Sequence, residues 1–282
     1  MRSVWACARH SLLRVGSTPR VWAVLILTWL YLANLADPVK ALLADMNLRA
    51  SVPGFAGLLL ADSQVTLLLG AGFLLILFDA PFADEMHLLL IVRAGRRRWA
   101  AGQLMYIAAA AAVYLVFALL VLALAFGPAG QYSEDWSEGI RQFTEEGAWE
   151  EYDTMIDYDP WILRAYTPWT ACLLGALLHV LGYAALGCLL FCVNLAFPGR
   201  AGFFAGCLPL LFDAWIVEYL PEAWYWFSPV SLTRLTALDY GDAMDRPTLA
   251  WAFAALLALF AALGTLSLFI ARVREPQEVT PK

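Results

Sequence analysis

Six long apolar stretches constrain this chain more than any other feature of its sequence. They cover approximately residues 21–36, 65–78, 104–126, 169–197, 201–220 and 249–271. A helix needs about 20 apolar residues to cross the hydrocarbon core of a bilayer. Of the 282 residues, 62% are hydrophobic and 15% are charged, whereas a soluble domain is roughly 45–50% apolar and about 25% charged. The sequence therefore predicts one all-α polytopic membrane domain, residues 1–282, with six transmembrane helices.

The second stretch is the weakest of the six. The polar residues Asp62, Ser63 and Gln64 stand directly before it and separate it from further apolar residues. A short re-entrant or interfacial segment that ends at these residues is the alternative to a complete span.

Arginine residues predict the orientation of the spans. Four groups stand before the first stretch, between the second and third, between the fourth and fifth, and after the sixth: Arg2, Arg9, Arg14 and Arg20; Arg93, Arg96, Arg97 and Arg98; Arg200; Arg272 and Arg274. Cytoplasmic loops of membrane proteins carry an excess of arginine and lysine. Six spans with a cytoplasmic N-terminus place all four groups in the cytoplasm. Both termini are therefore predicted to be cytoplasmic, and the acidic segment 128–165 is predicted to be external.

Short motifs of enzymes and nucleotide-binding proteins are absent from the sequence. There is no G-x-x-x-x-G-K-[ST] phosphate loop, no H-E-x-x-H and no G-x-S-x-G. The three histidines are scattered, and the five cysteines lie in or beside apolar stretches without a regular framework. We therefore expect no catalytic site, no cofactor held by this chain and no metal site. The basic cluster is short and lies between two apolar stretches, which does not support binding of nucleic acid.

Three polar residues are candidates for an intramembrane site. Asp213 lies in the fifth stretch, four residues after Pro209, and Glu218 lies near the end of that stretch; His179 lies in the fourth. Charged groups in a bilayer are costly, so they commonly mark a transport pathway or pair with one another. Asp213 and Glu218 either line a polar cavity or form a structural ion pair with an arginine. His179 either takes part in a proton relay or donates a hydrogen bond to a neighbouring helix.

Two segments outside the spans have the periodicity of amphipathic helices. In residues 1–17, one side of a helix would carry apolar residues and the other basic ones: Val4, Trp5, Ala8, Leu12 and Val15 against Arg2, Arg9, His10 and Arg14. This pattern predicts an interfacial helix, with a disordered basic leader as the alternative. In segment 128–165, Trp136, Ile140 and Phe143 follow helical spacing, which predicts short external helices.

The loop between the second and third spans, residues 80–101, carries the most informative pattern. Pro81 ends the second span, and Asp84 and Glu85 would occupy the first turn of a new helix, where carboxylates are favoured by the helix dipole. Apolar residues follow, then a basic run and an aromatic residue: Arg93, Arg96, Arg97, Arg98 and Trp99. The pattern predicts a short amphipathic helix in the cytoplasm. It is either a docking element for a soluble partner or a loop that only fixes topology.

This layout resembles the type-2 permeases of ATP-binding cassette (ABC) transporters, the membrane subunits of many bacterial exporters. The resemblance rests on an N-terminal amphipathic helix, six spans and a helix between spans two and three. The loop is similar to loops of permeases from Gram-positive bacteria, with an aspartate, a proline and a phenylalanine followed by a basic run; here these are Asp79, Pro81, Phe82, Arg93, Gly95, Arg96, Arg97 and Trp99.

The resemblance implies a partner and a mechanism. In such permeases the loop helix is a coupling helix, seated in a groove of a separate ATPase subunit that binds ATP and magnesium. It also implies a second permease, identical or related, and a place in a bacterial cell membrane. We expect the ATPase contact at Asp84, Glu85, Arg93, Arg96, Arg97, Arg98 and Trp99. The substrate is not readable from the sequence, although export of a peptide or amphiphile would suit the aromatic external segments.

Two other classes of function remain open from the sequence. One is an ATP-independent secondary transporter that uses Asp213, Glu218 and His179 for ion coupling. The other is a membrane interaction or immunity protein that transports nothing.

Overall fold

The computed structural model describes residues 2–81, 91–127, 130–145, 159–197, 200–241 and 245–273. Within these ranges the chain is almost entirely helical, which confirms the predicted all-α class. The helices are α1 (Arg2–Gly16), α2 (Pro19–Asp45), α3 (Val52–Ala61), α4 (Ser63–Ile76), α5 (Arg96–Phe126), α6 (Glu138–Glu145), α7 (Trp161–Ala165), α8 (Pro168–Ala196), α9 (Ala201–Tyr219) and α10 (Leu249–Val273). Two short strands, β1 (Ala50–Ser51) and β2 (Gly130–Gln131), pair in parallel.

Five helices are long and apolar enough to cross a membrane, namely α2, α5, α8, α9 and α10. Proline stands at the first position of α2 and of α8, where its missing N–H has no intrahelical acceptor in any case. The side chain of Thr167 also caps α8 by accepting a hydrogen bond from the Thr170 N–H. Such a set of helices is consistent with a multi-pass membrane protein.

The second apolar region forms two helices, α3 and α4, that meet at an angle of 83°. Asp62 stands at the break, and its Oδ1 accepts a hydrogen bond of 2.8 Å from the Val65 N–H, which caps α4. At 1.5 Å per residue, α4 is about 21 Å long and α3 about 15 Å, so neither crosses a hydrocarbon core of about 30 Å alone. The pair is a sixth candidate span only if both helices are counted as one broken span.

The helix α3 is enclosed by protein on all sides. All ten of its residues are buried. A Cβ added to Gly57 would lie 2.8 Å from the Ala171 Cβ and 3.0 Å from the Cys172 nitrogen, so the absent side chain allows α3 to lie directly against α8. A segment that ends at membrane depth is tolerated only where protein surrounds it, and α3 meets that condition.

One end of the bundle, called here the arginine end, gathers arginines from the ends of several helices. The side chain of Asp79, just after α4, contacts Arg20 at the start of α2 and Arg200 at the start of α9. Arg272, near the end of α10, lines a pocket together with Arg96, Arg97 and Arg98 at the start of α5. Helix termini that are far apart in the sequence therefore meet at this end. The predicted grouping of arginines on one side agrees with these contacts.

The helix α1 packs against the first turns of α5 at the arginine end. Its buried residues are Cys7, Ala8, Ser11 and Val15. The Gln103 side chain donates a 2.9 Å hydrogen bond to the Ser11 Oγ, and a Cβ at Gly102 would lie only 2.6 Å from the Cys7 Cβ. Trp5, predicted on the apolar side, is 59% exposed. The protein-facing side of α1 is thus made of small residues, while Trp5 points away from α5.

The opposite end of the bundle, called the far end, carries the strands and short helices. The Ser51 N–H donates to the Ser137 Oγ at 3.0 Å, and the Trp136 indole donates to the Tyr166 carbonyl at 2.8 Å. Trp136 and Ile140 are buried, so these two residues of the predicted apolar side face protein. Helices are present at α6 and α7, within the predicted segment 128–165; residues 146–158 lie outside the described residues.

Candidate functional site

The first candidate site is the basic surface at the arginine end. Arg93, Arg97 and Arg98 are exposed. Among the described residues, no carboxylate lies within 4 Å of any of these three guanidinium groups. Residues 91–94 are helical and α5 begins at residue 96, so the basic residues surround the junction of two helical segments. Gly95 at this junction has a φ of 82°, a backbone conformation that favours glycine.

A pocket of about 410 Å³ opens among these arginines. Arg96, Arg97 and Arg98 line it together with Arg272, and the remaining lining residues are Ala94 and Gly95. Four positive side chains thus surround one cavity, which makes it attractive to anions. The sequence predicted that Arg272 would lie on the same side of the membrane as the loop, but not that it would share a pocket with it.

Two predicted contact residues of the loop, Asp84 and Glu85, lie outside the described residues. Trp99 is described and is only 4% exposed. Its ring centroid lies 5.9 Å from that of Phe191 in α8. Trp99 therefore anchors the start of α5 to the interior of the bundle, and its indole is not part of the exposed surface around Arg97 and Arg98.

Asp79 forms a junction next to this basic surface. Its Oδ2 lies 2.6 Å from Arg20 Nη2, and its Oδ1 lies 3.7 Å from Arg200 Nη2. Both guanidinium groups also lie over the ring of Phe78, at 4.9 Å and 4.6 Å from its centroid. One carboxylate thus connects the ends of α2, α4 and α9. The sequence predicted a role for Asp79 only as part of the family pattern. Its position could have indicated the ion pairs, because it is an acidic residue at the end of a span and the neighbouring loops are rich in arginine.

A hydrogen bond to the carbonyl of Ala80 connects this junction to α8 as well. The Asn194 Nδ2 donates to it at 2.7 Å, and the Asn194 Oδ1 accepts a hydrogen bond from the Gly202 N–H at 2.8 Å. The chain that leads into the loop 80–101 is therefore held by side chains of three different helices immediately before Pro81.

The second candidate site is a polar cluster at the far end, centred on Asp213. This carboxylate is 1% exposed, and its Oδ1 accepts hydrogen bonds from Arg234 Nη2 at 2.7 Å and from Ser231 Oγ at 2.5 Å. Arg234 and Ser231 belong to the loop between α9 and α10. Of the two interpretations, the structure places Asp213 in an ion pair. The arginine comes from a connecting loop that folds into the bundle.

Glu218 is separate from this cluster and is exposed. His179 is fully buried, with its Nε2 3.1 Å from the Thr66 Oγ1 and its Nδ1 2.8 Å from the Gly175 carbonyl. His179 thus connects α8 to the first turn of α4. Among the described residues, no group of three or more histidine, cysteine or acidic side chains could hold a metal ion.

The same loop also covers the break between α3 and α4. The Thr236 hydroxyl donates to the Ala61 carbonyl at 2.6 Å, and the Tyr183 hydroxyl donates to the Thr66 carbonyl at 3.2 Å. The Ala61 carbonyl lies at the C-terminal end of α3, where it has no intrahelical donor, so Thr236 supplies its partner. Tyr183, from α8, adds a second donor to a carbonyl in the first turn of α4. The loop between α9 and α10 therefore supplies partners both to the backbone at the break and to Asp213.

Glu222 and Arg246 close the base of the loop between α9 and α10. Both oxygens of Glu222 accept hydrogen bonds from Arg246, at 2.5 Å and 2.8 Å. These bonds hold the pKa of the Glu222 carboxyl below its usual range. Burial, followed by the nearby carboxylate of Asp159, raises the pKa of the Tyr240 hydroxyl in the same loop. The two ends of the loop are thus held together by one charged pair.

Comparison with protein-family models gives no match for this chain, and comparison with curated proteins gives none either. Its function is therefore inferred from its own residues.

Proposed function

We propose that this chain is the membrane permease of a type-2 ABC transporter, which moves its substrate with ATP hydrolysed, with magnesium, by a separate ATPase subunit. The observation that carries the proposal is the exposed basic surface of Arg93, Arg97 and Arg98. Exposed arginines without a carboxylate partner among the described residues are suited to bind an acidic surface of a soluble protein. Because the loop 80–101 resembles the coupling loops of permeases, we propose that the soluble protein is the ATPase subunit.

The arrangement of helix ends supports a cytoplasmic position for this surface. The helix α1, the junction at Asp79, the start of α5 and the end of α10 all meet at the arginine end. Arginine-rich ends of membrane proteins face the cytoplasm. We therefore propose six crossings, counting α3 and α4 as one broken span, with both termini in the cytoplasm of a bacterial cell and with α1 at the membrane surface.

The Asp79 junction supplies a mechanical connection for this function. When the ATPase subunits close on ATP, the loop that begins at Pro81 would be displaced. Because Asp79 holds Arg20 and Arg200, that displacement would act on α2 and α9 as well as on α4. Spans of the permease would then reorient together and open a path between two permease subunits. A peptide or amphiphile carried outward remains our proposal for the substrate.

Co-purification with a candidate ABC ATPase expressed together with this chain tests the proposal. The variant Arg97→Glu/Arg98→Glu should lose the ATPase, because the charge of the contact is reversed. The matched control is Arg141→Glu/Arg164→Glu, which reverses two exposed arginines at the far end and should keep the ATPase bound. Loss of the ATPase from both variants, or from neither, would contradict docking at the loop.

A second pair of measurements separates docking from topology. Reversing arginine charges can change the orientation of a span, so the sidedness of a cysteine introduced at an exposed loop position should be measured in each variant. The variant Arg97→Lys/Arg98→Lys keeps the positive charge, and we expect normal orientation with weaker ATPase binding, because lysine lacks the bidentate geometry of arginine. Normal orientation together with full ATPase binding in the glutamate variant would rule out the contact.

The second candidate function is an ion-coupled secondary transporter. The broken pair α3 and α4 favours it, because transporters of that class commonly place binding sites at interrupted helices. Here the break lies beside His179 and the Asp213–Arg234 pair. Substrate accumulation in vesicles that contain the chain alone, driven by a proton or sodium gradient without ATP, would support this function and oppose the first.

A further inference from the structure

The pocket lined by Arg96, Arg97, Arg98 and Arg272, called here the arginine pocket, brings together basic side chains from two helices. Arg96, Arg97 and Arg98 come from the start of α5, and Arg272 comes from the end of α10. None of the described residues that line the pocket is acidic. Arg97, Arg98 and Arg272 bring like charges to one cavity of about 410 Å³, and a bound anion would reduce their mutual repulsion.

The backbone at the start of α5 adds to the attraction for an anion. Gly95 precedes the helix and offers no side chain to cap it. The first N–H groups of a helix have no intrahelical acceptor, and the aligned peptide dipoles place a partial positive charge at that end. Since α5 has 31 residues and its first turn lines the pocket, these amides and the arginines favour the same kind of ligand.

The surroundings of the pocket indicate an anion that carries apolar chains. Arg272 lies in the last turn of α10, where Phe269 and Val273 are 63% and 64% exposed. Val92, three residues before Gly95, is 82% exposed. On α10, a helix apolar enough to span a membrane, apolar side chains this exposed lie against lipid. A ligand at this place would meet arginines with one part and the acyl region with another.

We propose that the arginine pocket binds the phosphate headgroup of an anionic phospholipid, held between the start of α5 and the end of α10. Basic pockets between transmembrane helices on the cytoplasmic side are suited to such headgroups. The headgroup would accept hydrogen bonds from Arg272 and from arginines at the start of α5, and the acyl chains would extend along the exposed side of α10. The lipid thereby fastens the last span to the loop that leads into α5. This site does not depend on the proposed transport function.

Binding to the purified full-length chain in a neutral detergent tests the site. Native mass spectrometry would compare phosphatidylglycerol with phosphatidylcholine of the same acyl composition. We expect preferential retention of phosphatidylglycerol, and about fivefold weaker affinity in Arg272→Gln, since each arginine near an anionic headgroup contributes on the order of 1 kcal/mol. The matched control is Arg9→Gln, which removes an exposed arginine of α1 at the same end but outside the pocket, and it should bind as the unchanged chain does.

Several results would overturn the site. Equal loss of lipid in Arg272→Gln and Arg9→Gln would show attraction to surface charge only, and equal retention of the two lipids would show no preference for an anion. Soluble glycerol phosphate serves as a further arm: if it binds as tightly as phosphatidylglycerol, the ligand is a free phosphate compound and the lipid proposal is wrong. The melting temperature of Arg272→Gln in phosphatidylcholine should match that of the unchanged chain, which excludes misfolding as the cause.

The same variant distinguishes this site from ATPase docking. Arg272 is not part of the loop, so Arg272→Gln should weaken lipid binding about fivefold and keep the ATPase in co-purification. The lipid site can therefore fail while docking holds, and docking can fail while the lipid site holds.

Discussion

Two carboxylate–guanidinium pairs of almost equal length stand at opposite ends of this protein. Arg20 and Asp79 are 2.6 Å apart at the arginine end, with side chains 29% and 37% exposed. Arg234 and Asp213 are 2.7 Å apart at the far end, with side chains 4% and 2% exposed. The difference between them is burial. Water screens the first pair, whereas the second is enclosed by protein and keeps nearly its full interaction.

The partners around the two pairs differ accordingly. Asp79 shares its charge between two arginines, and Arg20 also donates to the Leu75 carbonyl at 2.9 Å. Asp213 has one arginine and the Ser231 hydroxyl. A pair that is partly in water can exchange partners at little cost, which suits a junction between helix ends that move relative to one another. A pair that is fully buried holds one arrangement, which suits a loop that closes the far end.

The largest effect is expected when one partner of the buried pair is removed. Asp213→Ala leaves the Arg234 charge buried and unpaired, which should lower the free energy of unfolding by about 3–5 kcal/mol. Thermal unfolding in detergent would measure the loss. Replacing both partners, in Asp213→Leu/Arg234→Met, should restore most of the stability, because no charge then remains buried. A double variant as unstable as the single one would show that the two charges do not act as a pair.

A smaller effect is expected from crowding the contact between α3 and α8. Gly57→Ala would place a Cβ 2.8 Å from the Ala171 Cβ and 3.0 Å from the Cys172 nitrogen. Backbone atoms cannot move aside as a side chain would, so the cost should be about 1–3 kcal/mol. Gly16→Ala is the control, because nothing lies within 4 Å of a Cβ at that position. Equal melting temperatures for the two variants would contradict the close packing of α3.

Removing the partly exposed pair should have a still smaller effect on stability. Asp79→Asn should cost at most about 1 kcal/mol, and the difference from the unchanged chain should shrink at high salt. Asp37→Asn is the control, because Asp37 pairs with Lys40 on the same helix and its side chain is 63% exposed. A salt-independent loss as large as that of Asp213→Ala would remove the distinction between the two ends.

The smallest effect is expected at Glu222, and it depends on pH. Arg246 holds the pKa of this carboxyl below its usual range, so the folded state binds the proton less readily than the unfolded state does. The pair therefore adds stability at neutral pH, and this contribution is lost as the pH falls through the lowered pKa. Because the Glu222 side chain is 51% exposed, the contribution should stay below about 1 kcal/mol.

Thermal unfolding of Glu222→Gln and of the unchanged chain between pH 7 and pH 3 would test this contribution. The two melting temperatures should differ slightly at pH 7 and converge at the acid end. A difference that grows on acidification would have the wrong sign and would exclude the pair as its source.

Local sequence signals were sufficient for much of the fold. Long apolar stretches predicted the helices, because a helix makes all of its backbone hydrogen bonds within itself. Only the polarity of the side chains must then match the surroundings. The polar run at Asp62 predicted the weakness of the second span, and the structure places a break of 83° there. Periodicity also predicted the helix at α1. It did not predict that Trp5 would be exposed; the side of α1 that packs against α5 carries small residues, which allow a closer approach than tryptophan would.

These local signals did not predict the partners of the polar residues that were candidates for an intramembrane site. Asp213 and Arg234 are 21 residues apart, and Arg234 lies in a loop without periodicity, so nothing in the sequence pairs them. Glu218 lies only five residues after Asp213 and was grouped with it, yet it is exposed, because five residues along a helix turn the side chain away from the same face.

The sequence by itself determined that this chain is helical and apolar. It also determined that eleven of its sixteen arginines stand before the first apolar stretch, between the second and third, between the fourth and fifth, or after the sixth. These properties depend on residues close together in the chain, where hydropathy and helical periodicity act. The tertiary structure alone decided that Arg272 joins the arginines at the start of α5, that Asp79 joins Arg20 and Arg200, and that Asp213 is paired with a loop. Each of these depends on which helix ends meet, and that is set by close packing at residues such as Gly57 and Gly102, whose lack of a side chain carries no long-range signal in the sequence.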